Sequence, residues 1–147
     1  MDEKCNFCLI ANGRSQAAVI HEGPDIIAFM DSRPIRPGHV LVVPRVHKTD
    51  IFSLSPQEYL RVLGIAQGFA KTLQRVFRPK RVGMAVVGFD VPHPHVHLIP
   101  MLEYHDITSR SLFDGTLADV TLAELEVHAA TVRADLSRTE PKHEQDT

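Results

Sequence analysis

The chain is predicted to fold as one α+β domain: a mainly antiparallel sheet of about five strands, one long helix and a C-terminal helix. Three observations predict it. Short apolar runs bounded by turn residues come in neighbouring groups, the signature of hairpin-connected strands. One extended stripe at helical spacing follows residue 55. The order strands, helix, strands, helix gives an α+β domain with a mainly antiparallel sheet. With 147 residues, 44% of them hydrophobic and 23% charged, the chain is long enough and apolar enough for one real core.

The elements follow in order after the N-terminal "CNFCLIANG". "AAVIHE" and "DIIAFMD" are two short strands, separated by the turn residues of "EGPD". In "RPIRPGHVLVVPRVHK" a loop rich in proline and glycine leads into a strand at Val40 to Val43. Ser55-Pro56-Gln57-Glu58 starts a helix. Ser55 can accept from first-turn amides, Pro56 suits the first helical position and Glu58 completes a capping box. Tyr59, Val62, Leu63, Ala66, Phe69, Ala70, Leu73, Val76 and Phe77 then form a stripe that is read as core packing. "RPKR" ends that helix as a solvated turn. "VGMAVVGFD" and "HPHVHLIPM" are a pair of strands with a loop around Gly88 to Pro92. A second capping box, Thr121 to Glu124, opens a helix with Leu122, Leu125, Ala129, Val132 and Leu136 on one face. The domain is assigned to residues 1–137, and residues 138–147 to a polar tail.

Composition excludes several classes. A net charge of −2 and a pI near 6.5 give no footprint for nucleic acid or an anionic membrane. No apolar run reaches the ~18 to 20 residues of a membrane span. "MDEKCNFCLI" has no basic segment before a long apolar stretch, so no secretory signal is visible and a cytoplasmic location is expected. In that reducing compartment Cys5 and Cys8 are not expected to form a stabilising disulfide. Their C-x-x-C spacing suits a metal half-site, a redox pair or two unrelated thiols.

The densest chemistry lies in "VPHPHVHLIP", which holds three of the nine histidines at every second position. On a strand, His93, His95 and His97 would share one face at steps of ~6.6 to 6.8 Å, with Val96 and Leu98 facing a core behind them. Three imidazoles in a row are costly to bury without partners or a task. Pro92 and Pro94 lack amide hydrogens, so this stretch is not a fully paired central strand and opens toward a pocket or strand end. Two chemistries compete. H-x-H can supply two ligands to zinc. Alternatively, a neutral imidazole can attack phosphorus and form a phosphohistidine that water resolves. An imidazole pKa near 6.5 serves either use.

These residues resemble the His-φ-His-φ-His-φ-φ signature of the histidine triad (HIT) superfamily of nucleotide hydrolases and transferases. "CNFCLI", "IIAFMDSRPIRPGHVLVVPRVH" and the long helix from Pro56 agree with that family in order and spacing, so the likeness covers about residues 5 to 100. The resemblance implies a compact α+β subunit, commonly a homodimer, that binds the phosphate of a purine nucleotide or related small molecule beside the histidines. It implies that His95 is the nucleophile, that His97 contacts phosphate and leaving group, and that His39 supports the nucleophile. Asp31 matches the residue that holds the ribose hydroxyls, and Phe7, Ile10 and Phe29 match positions lining the base pocket. Cys5, Cys8, His47 and His93 form a second constellation similar to that of some bacterial HIT proteins. Two thiolates and two imidazoles suit a closed, structural zinc site, with free thiols as the alternative.

One stretch departs from the better-known branches, which carry Gly-Gln and a nearby Ser or Thr as phosphate donors. Here "VVGFDVPH" places Phe89 and Asp90 there. A carboxylate beside phosphate is repulsive unless protonated or paired. Asp90 is therefore expected to face solvent, cap the turn or discriminate against extended polyphosphates. The expected activity is hydrolysis of a nucleoside phosphoramidate, or of a related phosphorus–nitrogen or phosphoric anhydride bond, through a His95-nucleotidyl intermediate. Two rivals stand beside it: a catalytically weak nucleotide-binding regulatory module, and a zinc enzyme with His93, His95 and His97 sharing one open metal site.

Overall fold

A computed structural model describes residues 4–108 and 117–139. Its elements are α1 (Asn6–Ala11), β1 (Val19–Glu22), β2 (Ile26–Met30), β3 (Val40–Pro44), a 3-10 turn (Ile51–Ser53), α2 (Pro56–Phe77), β4 (Arg81–Ala85), β5 (Val96–Met101) and α3 (Leu122–Thr139). The five strands form one sheet in the order β1-β2-β3-β5-β4. Every neighbouring pair is antiparallel. The α+β architecture read from the sequence is the one observed.

Why β2 and β3 read as unbroken apolar runs follows from what covers them. All five residues of each strand are buried. Ile26, Ala28, Met30, Val40 and Val42 pack with Val96 and Leu98 of β5 against α2 and α3. Ile27, Phe29, Leu41 and Val43 pack on the opposite face against Phe7, Cys8, Ile10 and Ala11 of α1. A sheet covered on both faces needs apolar residues at successive positions rather than alternation.

The long helix begins as its sequence dictates. Glu58 N donates to Ser55 Oγ at 3.2 Å and Ser55 N to Glu58 Oε2 at 2.7 Å. It buries Val62, Ala66, Phe69 and Leu73 of the predicted stripe. It stops at Arg78, whose φ of 48° is left-handed, ahead of Pro79. The second capping box also forms, with Glu124 N donating to Thr121 Oγ1 at 3.3 Å. Leu125, Ala129 and Val132 are buried, whereas Leu122, the first residue of α3, is exposed. Arg75 of α2 donates to Asp135 of α3 at 2.7 Å, and Arg133 donates to the Val19 carbonyl of β1 at 2.6 Å. No helix among the described residues is long and apolar enough to cross a membrane.

Three boundaries differ from the sequence reading. "CNFCLI", left without an element there, contains the short helix α1. The C-terminal helix continues through Thr139, past the boundary set at 137, and residues 140–147 lie outside the described residues. The third difference bears on function: β5 starts at Val96, so His93 and His95 precede the strand and only His97 stands on it. Pro92 and Pro94 cannot donate to a ladder, and the β3–β5 pairing accordingly begins at Val42↔Val96. The three histidines are therefore not a row on one strand face.

Candidate active site and metal centre

His97 lies on the α1 face of the sheet, paired with Leu41, which in turn pairs with Phe29. His39 precedes β3 by one residue and shares that face. Its ring meets His97 directly, Nε2 to Nδ1, at 3.0 Å. The Ile35 amide donates to the other nitrogen, His39 Nδ1, at 3.1 Å. That bond fixes the tautomers. An amide can only donate, so His39 Nδ1 carries no hydrogen and the neutral ring holds its hydrogen on Nε2. His39 Nε2–H then donates to His97 Nδ1, which leaves the hydrogen of His97 on its own Nε2. Burial pushes the pKa of His39 down to about 4. His97 is likewise lowered to about 4, by burial first and then by the neighbouring His39 and His95. Both rings are neutral at pH 7.

His95 is buried, and its Nδ1 lies 2.7 Å from the His93 carbonyl oxygen. A carbonyl can only accept, so Nδ1 carries a hydrogen, and in the neutral ring the lone pair is the one on Nε2. The ring is held edge-on between His97, with centroids 4.9 Å apart, and Phe7, at 5.1 Å. Asp31 completes this group. Its Oδ2 lies 3.5 Å from His39 Nε2 and 3.8 Å from His97 Nδ1, and its Oδ1 accepts from Arg33 N at 2.9 Å. Burial raises the pKa of Asp31, outweighing the Arg33 amide and the nearby imidazoles.

The second constellation also assembles. Cys5 Sγ is 3.5 Å from His93 Nδ1, Cys8 Sγ is 3.3 Å from His47 Nδ1 and 3.6 Å from His93 Nδ1, and the two imidazole Nδ1 atoms are 3.2 Å apart. Tetrahedral zinc with ordinary bond lengths needs N···S edges of about 3.6 Å and an N···N edge of about 3.3 Å. The donor spacing matches. His93 Nε2 donates to the Pro44 carbonyl at 2.7 Å, so its Nδ1 lone pair is the one aimed at the thiols, a second hydrogen bond of the kind metal-ligating histidines make. Asp31, His39 and His97 also bring three donor atoms within 4.8 Å of one another. There the tautomers argue against a metal, because His39 Nε2 carries a hydrogen rather than a lone pair.

Of the residues singled out from the sequence, the fold brings His39, His95, His97, Asp31 and Phe7 together, with Phe29 edge-on to Phe7 at 5.5 Å. Ile10 lies in the apolar packing of α1. Among the described residues, the groups of donors close enough to hold one ion place His93 with Cys5, Cys8 and His47, and His97 with Asp31 and His39, rather than the three histidines together. The Nδ1 atoms of the three rings face the cysteines, the His93 carbonyl and His39 respectively. Asp90 faces solvent, its side chain 78% exposed, with Arg33 Nη2 at 3.7 Å. Sequence reasoning missed the backbone amides of Ile35 and Arg33, which bond His39 and Asp31 and have no spacing signal, because each acts through loop geometry.

An antiparallel α+β sheet with a bare imidazole nitrogen backed by a neutral histidine pair defines a class of protein, and the comparisons agree with it. The chain belongs to the HIT family: the HIT domain matches residues 12–103. An uncharacterized HIT-like protein of Methanocaldococcus jannaschii is 34% identical over 109 residues, covering 67% of this chain and 80% of its own. A HIT family hydrolase from Legionella pneumophila Philadelphia 1 is 30% identical, with a TM-score of 0.56, over 65% of this chain and 91% of that one. A zinc-bound histidine triad family protein from Mycobacterium smegmatis shares the fold at 23% identity, with a TM-score of 0.74 over 92% of this chain and 94% of its own.

Proposed function

We propose that this protein hydrolyses a nucleoside phosphoramidate or a related nucleotidyl compound to a nucleoside monophosphate, with His95 as a covalent nucleophile. The observation that carries the reading is the 2.7 Å bond from His95 Nδ1–H to the His93 carbonyl, which puts the lone pair of the neutral ring on Nε2. Family membership and the similarity to a HIT family hydrolase support it.

In the first step the Nε2 lone pair bonds to phosphorus, and the phosphorus–nitrogen bond breaks with its electron pair going to the leaving amine. The imidazole becomes a cation, and the His93 carbonyl accepting from Nδ1–H stabilises that charge. Burial keeps His97 neutral before substrate arrives; the anionic phosphate opposes that effect, so that His97 takes up a proton at Nδ1, displacing the His39 Nε2–H bond there, while its Nε2–H is delivered to the amine and leaves Nε2 open. Water then attacks phosphorus, its proton passes to His97, and the bond to His95 breaks to restore the free ring. His39 holds His97 in orientation. Asp31 receives the ribose hydroxyls, and Phe7, Ile10 and Phe29 form the apolar side that accepts a purine.

Cys5, Cys8, His47 and His93 would hold structural zinc. Supplied with four protein ligands, zinc offers anchorage rather than reaction chemistry there. His93 is thus a ligand through its ring and a support for His95 through its carbonyl. A thiolate site of this kind suits a reducing, cytoplasmic setting. A homodimer is the assembly the family suggests.

His95→Ala is expected to fold and bind nucleotide while turnover falls by on the order of 10³-fold or more. Undiminished turnover would sink the assignment. One observation favours a second reading, a weak catalyst acting as a nucleotide-binding module: the loop at Phe89 and Asp90 offers exposed side chains in place of neutral phosphate donors. Calorimetric titration beside a turnover assay separates the two, because tight binding without monophosphate release identifies the module.

A further inference from the structure

The segment between β2 and β3, residues 31–39, carries Asp31 at one end and His39 at the other. It has no regular structure, yet its Ile35 amide sets the tautomer of His39. What fixes its shape is a short list of bonds. Asp31 N donates to the His39 carbonyl at 2.9 Å and closes the neck, and His39 N donates to the Arg36 carbonyl at 3.1 Å. Gly38, with φ of +89°, lies against Phe77 of α2 so closely that a Cβ there would come within 2.6 Å of the ring. Val120 N donates to the Ser32 carbonyl at 2.9 Å, Arg33 lies 3.7 Å from exposed Asp90, and one side chain reaches a buried carboxylate just after β5. Arg36 donates from Nε at 2.9 Å and from Nη2 at 2.8 Å to a single oxygen, Oδ1 of Asp106.

Asp106 is buried although charged, and all of its bonds lead to the site's two supports. Its other oxygen, Oδ2, accepts from the amides of Leu102 at 2.7 Å and Glu103 at 2.9 Å, directly after β5. Strand β5 carries His97; the loop that Arg36 belongs to carries His39. One carboxylate therefore joins the two segments whose histidines meet at 3.0 Å. Burial tends to raise the pKa of Asp106, but the Arg36 bond and the two amides outweigh it and hold the carboxyl below its ordinary range.

We infer that Arg36 and Asp106 are positioning residues for the proposed reaction: their ion pair braces the 31–39 loop against the end of β5 and thereby sets the His39–His97 hydrogen bond and its tautomers. The inference rests on the proposed function only for its effect on turnover; its effect on the imidazoles is independent. Neither residue touches the reacting atoms. Asp106→Asn is nearly isosteric and tests the brace, because an amide has one acceptor face where Asp106 uses two. Whichever way it turns, its NH₂ opposes either the guanidinium or the backbone amides.

In the wild-type protein, ¹⁵N–¹H imidazole spectra should show His39 and His97 as single tautomers, each protonated on Nε2. In Asp106→Asn both should become mixtures, and kcat for a nucleoside phosphoramidate should fall by about 10- to 10²-fold, the scale of a small misplacement of working groups. Nucleotide affinity should stay within a few fold, and Arg36→Lys, which keeps one charged donor, should recover part of kcat. A folded Asp106→Asn variant with wild-type imidazole spectra overturns the inference whatever its turnover. If that variant does not fold, Arg36→Met decides by the same spectra, since it leaves the carboxylate with both amides. A wild-type protein without turnover would remove the proposed function, while the spectra would still decide the brace.

Discussion

His39 is the residue on which the acid behaviour of the site turns. It is buried, its Nδ1 accepts from a backbone amide and its neutral form is held down to about pH 4. The sign of its effect on stability follows. Between the ordinary imidazole value of about 6.5 and the folded value of about 4, the unfolded chain binds a proton that the folded chain does not. Stability is therefore fully present above pH 6.5 and is lost as pH falls toward 4, by roughly 3 kcal/mol for His39 alone. Denaturant titrations at pH 7 and pH 4.5 are expected to show this loss, and in His39→Gln the loss should be smaller. An equal loss in both would mean that His39 is not the buried neutral group. At the same scale, His97→Ala is expected to lower kcat by about 10²- to 10⁴-fold as a lost proton donor, with nucleotide binding largely retained. Turnover near the wild-type rate in that variant would remove His97 from the mechanism.

At the scale of elements, α1 is where the two constellations meet. Cys5, at the N-cap, and Cys8 bracket Phe7, whose ring centroid lies 6.0 Å from that of His93 and 5.1 Å from that of His95, so the segment that carries the thiols also walls His95. A metal at the cysteines would pin this six-residue helix, which is too short to persist alone. Cys5→Ser/Cys8→Ser is expected to abolish zinc binding, lower Tm by several degrees and reduce turnover, because α1 loses its anchor beside His95. Zinc retained at full stoichiometry by the double variant would place the metal elsewhere. The sequence pointed to the Cys5–Cys8–His47–His93 group but not to this element. "CNFCLI" offers no capping side chain for its helix, since Cys5 sits at the N-cap without a side-chain hydrogen bond, so no local signal announced it. The capping boxes at Ser55 and Thr121, by contrast, are local hydrogen bonds written in four residues each, and both helices begin where they indicate.

Across the whole molecule, legibility follows the range of the interaction. Strand and helix identities rest on periodicity within a few residues, and the strand-and-helix order of the sheet followed from them. The histidine stretch misled because periodicity alone treats it as one strand. Two prolines cut the ladder short, and the three rings diverge to the Cys5–Cys8–His47 cluster, a carbonyl and a partner histidine. Arg36 and Asp106, seventy positions apart, had no signal at all, because their relation exists only once β3 and β5 are paired. The folded chain thus gathers His39, His95 and His97 beside the sheet face walled by α1, held from the 31–39 loop, from β5 and from the segment that carries the cysteines.

The claim that binds these scales together is that His95 attacks phosphorus and is then released by water, two displacements in succession. Each in-line displacement inverts the configuration at phosphorus, so two restore it. Hydrolysis of a nucleoside phosphoramidothioate of known configuration in ¹⁸O-labelled water, read by ³¹P NMR, measures the outcome directly. Net retention is the expected result; net inversion would mean that water attacks the substrate itself and that His95 forms no covalent intermediate.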